Sequence, residues 1–115
     1  MPSFAFASLI LPGKQEAWRR FLQEMLEFRQ SEHEESRRRL GITRELVWLA
    51  QTRQGDASIT CMEADDPQRV LTQLAASNLP FDRWFRERLR EFHGLDPAQS
   101  PLRLLAEQVF EWRLP

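Results

Sequence analysis

Apolar positions change their spacing several times along this chain, and each change marks an element. From Phe4 to Leu11 both alternating faces are largely apolar, Phe4, Phe6, Ser8 and Ile10 on one and Ala5, Ala7, Leu9 and Leu11 on the other, which predicts a strand with no wet face. Pro12-Gly13 ends it. From Lys14 the spacing lengthens to three and four: Ala17, Trp18, Phe21, Leu22, Met25 and Leu26 form one stripe and predict a helix. Beyond Phe28 the sequence turns polar, but Glu34 with Arg38 and Glu35 with Arg39 sit one helical turn apart, so the helix is expected to continue as a solvated extension. Gly41 supplies its stop.

The two-residue period returns on both sides of Gly55-Asp56 and predicts a β-hairpin. In its first strand Leu46, Trp48, Ala50 and Thr52 share one side, and Glu45, Val47, Leu49 and Gln51 the other. In the second, Ala57, Ile59, Cys61 and Glu63 oppose Ser58, Thr60 and Met62. Asp66-Pro67 then starts a helix carrying Val70, Leu71, Leu74 and Ala75. Ser77-Asn78-Leu79-Pro80 breaks it, and Phe81, Trp84, Phe85, Leu89 and Phe92 resume a helical period up to the stop at Gly94. A last strand is expected within Leu104 to Arg113, where Ala106, Gln108, Phe110 and Trp112 alternate with Glu107, Val109 and Glu111.

The resulting order, β-α-β-β-α-β, predicts an α+β domain of ferredoxin-like form: a four-stranded antiparallel sheet with helices on one face. Its other face is too apolar to meet water alone. A second copy of the same sheet is the simplest cover, and a homodimer built sheet to sheet is expected.

Composition narrows the function classes. The 115 residues, read as one domain spanning 1-115, are 42% hydrophobic and 29% charged with a net charge of -1, which gives no electrostatic reason to bind nucleic acid. No apolar run approaches the roughly 18 residues of a membrane span. Met1-Pro2-Ser3-Phe4 lacks a basic, then apolar, secretory leader, and the single Cys61 has no partner for an intrachain disulfide, so a cytoplasmic location is expected.

Metal-ligand spacings, phosphate-binding glycine loops and nucleophile motifs are absent from the sequence, and no cofactor is expected. What remains are individual candidates. His33 lies on the polar extension of the first helix; exposure is the ordinary expectation, and a proton donor or axial haem ligand aimed into a cavity is the alternative. His93, beside Gly94, suits a helix C-terminus. Glu63 shares a strand face with Ile59 and Cys61, where an apolar setting raises a carboxyl pKa toward one suited to proton transfer, although it also lies at the strand end within reach of water or an arginine. Cys61, mid-strand, reads as a packed thiol and a possible pocket wall. Four tryptophans among 115 residues, Trp48 and Trp84 among them with neighbouring Phe85, supply core area and candidate walls for a flat apolar ligand.

With this element order, the two-faced sheet and the segments Trp48-Leu49, Gly55-Asp56, Glu63-Ala64-Asp65-Asp66-Pro67 and Pro80-Phe81-Asp82-Arg83-Trp84-Phe85, the chain resembles the dimeric α/β-barrel superfamily, and within it a small bacterial family of unknown function. The resemblance spans nearly the whole chain. It implies a homodimer through the sheets and one apolar cavity per subunit between sheet and helices. Members of the superfamily include cofactor-independent monooxygenases, polyketide cyclases and haem-binding enzymes. The expectation is therefore a small-molecule enzyme of the monooxygenase or cyclase kind acting on an apolar aromatic substrate, with Glu63 or His33 as proton shuttle and Trp48, Trp84, Phe85 and Cys61 as walls. A haem-binding protein and a non-catalytic ligand-binding module are the alternatives.

Overall fold

A computed structural model describes residues 2–95 and 106–115. Its elements run β1 (Ser3–Leu9), α1 (Gln15–Glu27), α2 (Gln30–Leu40), β2 (Ile42–Thr52), β3 (Gly55–Ala64), α3 (Pro67–Ala76) and α4 (Pro80–His93). Among the described residues the sheet is three-stranded and antiparallel, in the order β1-β3-β2.

The helix expected from Lys14 to Leu40 is two helices. No glycine or proline marks the break. At the junction the Arg29 amide donates to the carbonyl of Glu24, five residues back, and its side chain binds Glu24 at 2.9 Å and Glu32 at 3.3 Å while lying 4.2 Å above the Trp84 ring. Arg29 thus ties the two helix ends to each other through Glu24 and Glu32 and to α4 through Trp84, at a bend that local propensity does not encode. Other boundaries follow their signals. Asp66 caps α3 by accepting from the Arg69 amide with Pro67 at the first helical position, and Gly41 and Gly94 end α2 and α4 in left-handed backbone at φ 77° and 66°. The hairpin turn is Arg53-Gln54, two residues before the Gly55-Asp56 anticipated from sequence; Gly55 follows it at φ 127°, outside the range a side chain tolerates.

Among the described residues no fourth strand forms. Leu104 and Leu105 fall outside the described residues; 106–115 carry no regular structure and meet β1 through one backbone bond, the Ala106 amide to the Ala5 carbonyl at 2.7 Å. Val109, Phe110, Trp112 and Leu114 are exposed there, so alternation marks this segment as strand-like while nothing in the described chain buries its apolar side.

Register assigns the sheet faces. Phe4, Phe6 and Ser8 of β1 stand opposite Met62, Thr60 and Ser58 of β3, which in turn pair with Glu45, Val47 and Leu49 of β2. This set faces the helices. The core lies there in two clusters, one around Trp18, Phe21, Met25, Phe81, Phe85 and Phe92, the other around Phe4, Leu40, Ile42, Met62 and Val70. The opposite face carries Ala5, Ala7, Leu9, Leu46, Trp48, Ile59 and Cys61, with no helix over it.

Candidate functional site

Between the helix-facing side of the sheet and all four helices lies a cavity of about 70 Å3, bordered by both core clusters. Phe6, Phe21, Met25, Val47 and Phe85 make its walls largely apolar. A space of this size holds a few waters; a larger occupant requires the half-buried leucines Leu22, Leu89 and Leu95, which also line it, to move.

Two charged groups reach this apolar wall. Glu45 comes from the helix-facing row of β2 and Arg37 from the last turns of α2. Arg37 Nη2 donates to Glu45 Oε2 at 3.0 Å, and its guanidinium lies 5.0 Å over the Phe85 ring. Arg37 is 7% exposed, so the pair is nearly dry. His33, which does not itself line the cavity, places Nε2 3.1 Å from Glu45 Oε1, and its ring meets Phe81 edge-on. Burial pushes the Glu45 carboxyl up, but the His33 hydrogen bond and the Arg37 charge outweigh it and hold the group below its ordinary value. An ionised carboxylate only accepts, so the shared hydrogen sits on His33 Nε2.

A second ionic cluster lies beside the first. Asp82, fully buried on α4, accepts from Arg39 Nη1 at 2.8 Å and from Ser36 Oγ at 3.3 Å, and Ser36 also accepts from Arg37 Nη1 at 3.1 Å. Burial raises the Asp82 carboxyl, and its bonds from Arg39, Ser77 and Ser36 lower it further than burial raises it. This cluster fixes α4 against α2 and holds Arg37 from behind.

At the other end of the sheet His93 lines the cavity from the C-terminus of α4. Its Nδ1 lies 2.9 Å from the Leu9 carbonyl, which accepts only, so Nδ1 carries the hydrogen. Burial lowers the imidazole pKa and the carbonyl bond partly restores it; the net shift is downward.

The residues singled out from sequence separate into two groups. Phe85 lines the cavity, and Trp84 packs behind it, 5.4 Å from Phe21 and 5.5 Å from Phe81. His33 reaches the site through Glu45. Glu63, Cys61 and Trp48 do not: register turns them to the helix-free face, where Trp48 is 49% exposed and Glu63 pairs with Arg44 at 3.9 Å. The expectations of Glu63 as a cavity base and of Trp48, Cys61 and Trp84 as cavity walls are corrected: the first three face away from the helices and Trp84 packs behind the lining. Sequence reading passed over Glu45. Its signal was available, since a carboxylate alternating with Val47 and Leu49 is the same pattern that drew notice to Glu63. Among the described residues no group of three or more His, Cys, Asp or Glu side chains is placed to hold a metal ion, and no helix is long and apolar enough to cross a membrane.

No family model and no curated relative matches the chain. Solved structures do. An L-rhamnose mutarotase from Formosa agariphila superposes with a TM-score of 0.68 at 12% identity, covering 98% of this chain and 100% of its own. The tetracenomycin F2 cyclase of Streptomyces glaucescens, a type-II polyketide cyclase, gives 0.56 at 20% identity, covering 100% of both chains. At such identities the likeness is one of fold: the chain shares the α+β, ferredoxin-like architecture of these neighbours.

Proposed function

We propose that this protein is a small-molecule enzyme, independent of any cofactor and of the cyclase or monooxygenase kind, that moves protons on a flat apolar aromatic substrate held between sheet and helices. One observation carries the reading: an ionised carboxylate and a guanidinium, Glu45 and Arg37, are set side by side at one end of a largely apolar cavity. A surface ion pair needs no such setting, and a core ion pair adds little stability over apolar packing. In this reading Glu45 accepts a proton from an activated C–H or O–H of the substrate. Arg37 donates to the carbonyl oxygen on which negative charge develops. His33 orients the carboxylate. The neighbours add support at the level of fold: mutarotation and cyclisation both proceed by proton transfer.

The working unit in this proposal is a homodimer joined through the helix-free sheet faces. Trp48 and Leu9 stand exposed there among Ala5, Ala7, Ala50 and Ala57, a flat apolar surface that a second copy matches by two-fold symmetry.

The test is deuterium incorporation from heavy water into a panel of aromatic β-diketones and hydroxylated aromatic ketones, followed by mass spectrometry. Exchange that depends on the protein and disappears in Glu45→Gln supports the proposal. Exchange that Glu45→Gln leaves intact sinks the assignment of the base.

A further inference from the structure

The two ionic clusters are joined by a single hydroxyl. Ser36 Oγ lies 3.3 Å from Asp82 Oδ1 and 3.1 Å from Arg37 Nη1, and both Ser36 and Asp82 are fully buried without lining the cavity. The direction of each bond is fixed. Asp82 is ionised and only accepts, so Ser36 gives it the one hydrogen that the hydroxyl carries; Arg37 only donates, so it takes a lone pair of the same oxygen. A serine inside a helix is able to turn its hydroxyl to solvent or to the carbonyl one turn back. Here Asp82, from α4, holds that hydroxyl against Arg37 instead.

The consequence falls on Arg37, the first of three consecutive arginines at the end of α2. The Arg38 side chain is 85% exposed, and Arg39 is engaged by Asp82. A long stem lets an arginine near a helix end reach water, yet Arg37 turns inward over the Phe85 ring. Its Nε and Nη2 donate to Glu45 at 3.4 Å and 3.0 Å, and its Nη1 donates to Ser36. All three guanidinium nitrogens are tied. Without the Ser36 bond the group keeps one carboxylate edge and one ring face, about which Nη1 is free to swing.

We propose that Ser36, aimed by Asp82, is a positioning residue: its hydroxyl sets the orientation of the Arg37 guanidinium and keeps it seated on Glu45 at the polar end of the cavity. This rests on the reading of Glu45 and Arg37 as the working pair and adds a support that reaches them from α4 without touching the substrate.

Titration of the Glu45 carboxyl by 13C NMR in the full chain tests this with no substrate present. The charged or titratable groups that meet Glu45 are His33 and Arg37 of α2; β3 sets Met62 opposite it, and α4 reaches it only through Asp82 and Ser36 behind Arg37. Arg37 lowers the Glu45 pKa, so a guanidinium that swings away lets it rise. Ser36→Ala is expected to raise the midpoint by about one pH unit, and Arg37→Met by about two. Asp82 keeps its bonds from Arg39 and Ser77 in Ser36→Ala, so the fold is retained. The double variant should titrate as Arg37→Met does, because Ser36 then has no guanidinium to place. An unmoved midpoint in Ser36→Ala overturns the proposal, and so does a double variant whose shift is the sum of the two single shifts. If Arg37→Met unfolds, circular dichroism shows it and Ser36→Ala alone decides. A raised midpoint in Ser36→Ala together with a wild type that exchanges no substrate deuterium sinks the proton-transfer reading and leaves the positioning role standing.

Discussion

His33 and Glu45 meet through one contact, Nε2 to Oε1 at 3.1 Å, and that contact connects a half-buried helix residue to a carboxylate on the cavity wall. It is the largest of the influences that lower the Glu45 pKa against the upward push of burial. Replacing His33 with Phe is expected to raise the Glu45 pKa, so the acid limb of any pH–rate profile moves to higher pH. Glu45→Gln, which removes the base itself, is expected to lower kcat by about 10²–10⁴-fold. A profile in His33→Phe that keeps its acid limb in place would show that His33 plays no part in tuning the carboxylate.

Asp82 should matter for stability and only indirectly for chemistry. It is fully buried and its strongest partner, Arg39, donates at 2.8 Å. Truncation to Ala leaves the guanidinium of Arg39 without its counter-charge and is expected to cost about 3–5 kcal/mol, measured by urea unfolding. Because the Asp82 carboxyl is lowered in the folded state, its contribution is complete above the unfolded value of about 3.9 and is lost as pH falls below that value toward the folded one. Wild-type stability should therefore decline steeply below about pH 4, and Asp82→Asn should flatten that decline.

His93 acts in a different window. Its folded pKa is depressed by burial, so at pH values between the folded pKa and the unfolded value of about 6.5 the unfolded chain binds more protons. Stability then rises with pH through that interval and is complete above it. Thermal unfolding followed from pH 5 to pH 7.5 should give an increasing Tm, and His93→Gln should show a smaller slope. An unchanged slope in the variant would place the titration elsewhere.

Local signals carried most of the fold. Asp66-Pro67, Gly41, Gly94 and the two periods of the hairpin each determine backbone geometry within a few residues, and each is where the sequence placed it, save that the hairpin turn falls two residues earlier. The break at Arg29 was not legible because no glycine or proline marks it and one of the contacts that hold it, Trp84, comes from α4. The site was half legible for a related reason. Alternation shows that Glu45 and Glu63 both share faces with apolar residues, but which face meets the helices is settled by sheet order, and that put Glu45 inside and Glu63 outside. Arg37 gave no signal: in a run of three arginines, only the rotation of α2 selects the one that is buried.

Trp48 provides the sharpest test of assembly. It stands half-exposed at the centre of β2 on the helix-free face, paired in register with Ile59, while Leu9 at the end of β1 is 66% exposed on the same side. In a monomer, Trp48→Glu moves a charge into water at little cost and should leave Tm and mass unchanged. In a sheet-to-sheet dimer it faces its own symmetry mate's surface, so two carboxylates are buried in apolar contact, which costs several kcal/mol per ion. Light scattering should then report a dimer for the wild type and a monomer for Trp48→Glu, with Trp48→Phe retaining the dimer. A wild type that is monomeric at micromolar concentration would remove the second copy from the proposal and leave this face as the surface whose partner must be found.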